Sequence, residues 1–86
     1  MTDKVMKSIK EVDLTGLKIP VVAVHISPGD YPGKNVARVF DITVPTNVVV
    51  IKETIGELME DIRSNTNLTF MPRGAEDEES LVGVWL

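Results

Sequence analysis

The chain lacks cysteine altogether and has one histidine in 86 residues. The first absence excludes a disulfide framework and a thiolate zinc site, and fits a reducing cytoplasm. The second leaves His25 as the one side chain able to act as a base near neutral pH. Aromatic residues make up 5% of the chain, namely Tyr31, Phe40, Phe70 and Trp85. That is too few for a sheet that stacks successive nucleic-acid bases. No apolar run reaches the length of a membrane span, and the opening MTDKVMKSIKEVD has no signal-peptide core. There is no glycine-rich phosphate loop and no G-x-S-x-G elbow around any serine.

Positive charge is also scarce in the second half. Residues 1–52 carry seven Lys/Arg against five Asp/Glu, and residues 53–86 carry two against eight, giving the net charge of −4. Such a chain repels phosphate backbones, which argues against nucleic-acid binding. The acidic run Glu76–Glu79 lacks the alternating ligands, sharp glycine and distal glutamate of a calcium loop. It reads as a solvated loop. No cofactor or metal site is expected.

What is present is a clear architectural signal. Val48, Val49, Val50 and Ile51 are consecutive β-branched residues, which favour a strand. Thr54 and Glu57 then stand at capping-box spacing, with the threonine hydroxyl facing the Glu57 amide and the carboxylate facing the Thr54 amide. Ile55, Leu58, Met59 and Ile62 follow as one helical stripe. Strands are expected at Ile19–Ile26, Val36–Ile42, Asn47–Lys52, Leu68–Met71 and Leu81–Leu86, with the helix over Ile55–Arg63. Ser27–Lys34 reads as a turn-rich loop, Thr43–Thr46 as a tight connection and Ser64–Asn67 as the helix stop. Residues 1–17 are ambiguous between a short helix, an edge strand and a loosely attached segment. The expected fold is a single α+β domain over residues 1–86. Its sheet is mainly antiparallel with four or five strands, and one principal helix packs on one face.

The strands alternate apolar residues to both sides. Val22, Val24 and Ile26 oppose Val21 and Ala23; Val82, Val84 and Leu86 oppose Leu81 and Trp85. One short helix covers one face. The second must be covered by residues 1–17, by a second copy or by a protein partner. The expected function is therefore a small non-enzymatic interaction module, a homodimer built through an apolar sheet face or an edge strand, or a protein that binds a partner. Tyr31, Arg38, Phe40 and Trp85 are the candidate interaction residues. Arg38 is the most unusual, because it shares a strand face with Val36, Phe40 and Ile42 and must find an acid, a sheet edge or a partner.

The segment DYPGKNVARVFDI, with Pro45-Thr46, the helix start TIGEL and the terminal VWL, resembles a group of small uncharacterised bacterial proteins. A second resemblance, over Val36–Ile62, is to the HicB-like antitoxin fold, in which a strand pair leads into a threonine-led helix with acidic residues in its first turn. The chain departs from that family in lacking the Pro-Gly segment between those strands. That resemblance would imply a regulatory partner protein that neutralises another small protein. It carries over no functional residue.

Overall fold

In the computed structural model, residues 3–75 and 79–86 are described. Six strands form one mixed sheet: β1 (Lys4–Met6), β2 (Pro20–Ile26), β3 (Asn35–Asp41), β4 (Val44–Lys52), β5 (Phe70–Pro72) and β6 (Leu81–Trp85). Their order across the sheet is β1-β4-β3-β2-β6-β5. All pairings are antiparallel except β1 with β4, where Lys4 lies opposite Val48 and Met6 opposite Val50. One helix, α1 (Ile55–Asn65), follows β4. The α+β class and the single principal helix are as the sequence indicates. The sheet has one strand more than expected because β1 joins its edge.

Helix α1 starts where the capping box stands. The Glu57 amide donates to the Thr54 hydroxyl at 3.1 Å. The reciprocal bond differs from expectation: the Glu57 carboxylate accepts from the Thr54 hydroxyl, also at 3.1 Å. Thr66 ends the helix, its amide and hydroxyl both donating to the Ile62 carbonyl. Leu58 and Ile62 are fully buried against Val22, Val24, Ala37, Val39 and Val50. Ile9 belongs to this same core, with Met6, Val12, Leu14 and Leu17 packed around it. Met6, Ile9, Val12, Leu14 and Leu17 thus line the helix side, the last four carried by or flanking two single-turn 3₁₀ helices at Ile9–Glu11 and Leu14–Gly16. Asp61 of α1 fastens them, accepting from the Ser8 hydroxyl at 2.6 Å and the Ile9 amide at 2.7 Å.

Two details correct the strand limits. The chain reverses at Ile42-Thr43, two residues earlier than Thr43–Thr46, because Asp41 pairs with Val44. Pro45 is tolerated inside β4 because β1 covers only Val48–Val50, leaving β4 an open edge there. The ladder between β3 and β4 is also interrupted between Arg38 and Phe40. There the Thr46 hydroxyl donates to the Val39 carbonyl at 2.7 Å and accepts from the Val48 amide at 3.1 Å. At the other edge, β5 lies against β6 with the Phe70 ring over Gly83. A β-carbon at Gly83 would stand 2.5 Å from both that ring and the Met71 carbonyl oxygen.

Candidate functional site

The register assigns each site residue to a face. Val5, Val49, Arg38, Ala23, Val84 and Met71 form one row on the face away from α1. Phe40 lies opposite Val21 on that face, two residues along from Arg38. Trp85 lies opposite Val22 and Phe70, on the helix side. Of the four expected interaction residues, Arg38, Tyr31 and Phe40 are therefore placed on one side of the sheet, and Trp85 on the other. Trp85 is 5% exposed and its ring centroid is 5.3 Å from that of Phe70. Its indole N–H has no hydrogen-bond partner among the described residues. It is a core residue, because the alternation along β6 turns it toward Leu58 and Ile62.

The centre of the second face is covered by the chain itself. Arg38 grips Asp3 with both terminal guanidinium nitrogens, at 3.1 and 3.0 Å, and reaches Asp30 at 2.7 Å. The Tyr31 hydroxyl donates to the same Asp3 carboxylate at 2.8 Å. The loop 27–34 leaves the sheet between β2 and β3, whereas Asp3 precedes β1 at the far edge. The Tyr31–Asp3 bond therefore draws the loop across this face. Beneath it Val36, Val49 and Ala23 are buried. The Arg38 and Tyr31 bonds together hold the Asp3 pKa down to about 2. Asp3, with burial and Asp30 adding less, raises that of Tyr31. The hydrogen bond to Asp3 does most to raise that of Arg38, against its partial burial. That Arg38 needs an acid, a sheet edge or a partner was legible in the sequence, and the structure gives it acids. Asp3 and Asp30 were not, since no short spacing links residue 3 to residue 38.

The rest of this face stays open, and it is apolar. Phe40, Val21 and Val84 are half-buried, while Met71 and Leu86 are 49% and 53% exposed. Adjoining it, the ends of β2, β3, β4 and β6 meet at one end of the sheet. Ile19, Ile42 and Val44 stand there, 55%, 47% and 65% exposed. Ile42 donates its amide to the Ile19 carbonyl at 2.8 Å. It also has φ of 61°, a left-handed conformation that disfavours a β-branched residue. A hairpin turn of this kind ordinarily uses glycine or asparagine.

His25 Nδ1 lies 3.2 Å from Ser80 Oγ. Among the described residues no carboxylate bonds His25, and no group of three or more His, Asp or Glu is placed to hold a metal ion. Glu76–Glu78 of the acidic run fall outside the described residues. Among those described, no helix is long and apolar enough to cross a membrane. No family model, curated protein or solved structure matches the chain.

Proposed function

We propose that this chain is a non-enzymatic protein-interaction module that self-associates through the apolar end of its sheet. The observation that carries the reading is Ile42. Its side chain is half exposed at a turn position where the backbone favours glycine, next to the more exposed Ile19 and Val44. Strained residues of this sort recur where binding needs a particular side chain. Together with Leu86, Met71 and the half-buried Phe40, these residues expose apolar area on the order of several hundred Å², the size that marks an interaction site. The two charges that border these residues, Lys18 and Asp41, are of opposite sign, which lets two copies meet there without a single-sign field opposing them. The nearest acid, Asp41, is engaged by the Lys18 and Ile19 amides, both at 3.1 Å.

The test is to place charge on the surface without touching the core. Val44→Lys and Leu86→Lys change exposed side chains, so both variants keep the native fold by circular dichroism. Sedimentation velocity then reads the assembly. A dimer for the parent chain and monomers for both variants support the proposal. Equal sedimentation of all three contradicts it.

A further inference from the structure

On the opposite side of the sheet, between β1, β4 and the two 3₁₀ turns, lies a cleft of about 310 Å³. That is the lower end of the size of small-molecule sites, ~300–1,000 Å³. Met6, Val12, Leu17 and Val48 give it an apolar interior. It opens beside the interruption of the β3–β4 ladder, where Thr46 has replaced the regular bonds of Val39 and Val48. Such irregularities recur beside binding sites because they re-aim side chains and open a strand.

Three charges stand at the rim, from two different walls. Lys4 comes from the sheet, on β1, and has no ion pair among the described residues. Glu11 and Asp13 come from the 3₁₀ connection. Both acids are held in place by the backbone. Glu11 accepts from the Lys7 amide at 3.2 Å, and Asp13 accepts from the amide and hydroxyl of Thr15 at 3.1 and 2.6 Å. The Thr15 bonds lower the Asp13 pKa, so this carboxylate is charged at neutral pH. Glu11 has a second oxygen able to accept a bond from a ligand, and the Asp13 carboxylate, which also meets the Gly16 amide, keeps further lone pairs for one.

We propose that this cleft binds a free α-amino acid with a branched apolar side chain, its carboxylate toward Lys4, its ammonium toward Asp13 and Glu11, and its side chain on the Met6–Val48 floor. A zwitterion answers both signs of charge at the rim. A simple amine leaves Lys4 unpaired, and a simple carboxylate is repelled by two acids. The cleft shares no lining residue with the self-association surface, so the two proposals are tested separately.

The experiment is an NMR titration of the full chain with L-leucine, 3-methylbutylamine and 4-methylpentanoate. The expected result is saturable shifts at Met6, Val12 and Val48 with leucine, at a Kd below about 1 mM. The amine and the carboxylate should each bind at least tenfold more weakly. Lys4→Ala and Asp13→Asn, both at exposed positions, should keep the dispersed spectrum and weaken leucine about tenfold. No saturation with leucine at tenfold higher concentration overturns the proposal. So does equal binding of either analogue, or unchanged leucine affinity in both variants.

Discussion

Asp3 and Arg38 form a two-pronged ion pair, each terminal guanidinium nitrogen on its own carboxylate oxygen at 3.0–3.1 Å. Tyr31 donates to the same carboxylate. This one contact joins the edge strand β1, the centre of β3 and the loop that crosses the second face. It supplies the partner that a guanidinium among valines requires.

The pair predicts how stability falls in acid. The Asp3 pKa is lowered from 3.8 to about 2 in the folded chain, chiefly by Arg38 and then Tyr31. A depressed carboxylate stabilises the fold above its unfolded pKa, and that contribution is lost as pH falls through the folded value. Asp3→Asn should therefore be less stable than the parent at pH 6. The difference should shrink between pH 4 and pH 2, as measured by urea melts. A difference that stays constant over this window would mean that Asp3 is not gripped by Arg38 in solution.

The Phe70 ring occupies the space over Gly83, so Gly83→Ala forces either the ring or the Met71 carbonyl to move. The expected cost is about 1–3 kcal/mol, the usual range for overpacking. Restoration of stability by Phe70→Leu in the same chain would identify the ring as the obstacle. A silent Gly83→Ala would show that β5 does not pack on β6 this closely.

For the helix, Leu58→Ala removes a fully buried side chain. It should cost roughly 2–5 kcal/mol. Thr54→Ala, which removes the hydroxyl that caps the Glu57 amide, should cost about 1 kcal/mol. Denaturant midpoints compared at a constant slope give both values.

These elements differ in how plainly the sequence shows them. Thr54, Glu57 and the Ile55–Ile62 stripe are local signals, each readable within one or two turns. The alternation of Val21–Ile26 likewise shows a sheet with two apolar sides. β1 carries no such signal. It is three residues long, and it exists because Val48–Val50 offer a parallel edge far along the chain. Ile9 is hidden for the same reason, since its burial depends on the Asp61 carboxylate more than fifty residues away. Trp85 was legible as a buried residue of a paired strand, since a chain end stays ordered when it is tied into a sheet. The face it takes follows from the register of β6 against Val22, which the sequence does not set.

Ile42 is where fold and association oppose each other. Its left-handed φ of 61° costs an isoleucine stability that glycine would not lose. Ile42→Gly should raise the unfolding free energy of the monomer by about 1 kcal/mol. The same change should weaken self-association, because it removes a half-exposed apolar side chain from the surface. Urea melts at high dilution read the first effect, and sedimentation at high concentration reads the second.

Self-association is read most directly by the mass of the native chain from sedimentation equilibrium, followed over about a hundredfold range of concentration. The expected result is a mass that rises from 9.5 kDa toward twice that value, accompanied by a higher thermal midpoint at the higher concentrations. A mass of 9.5 kDa throughout, with an unchanged midpoint, would contradict self-association through the Ile19, Ile42, Val44 and Leu86 surface.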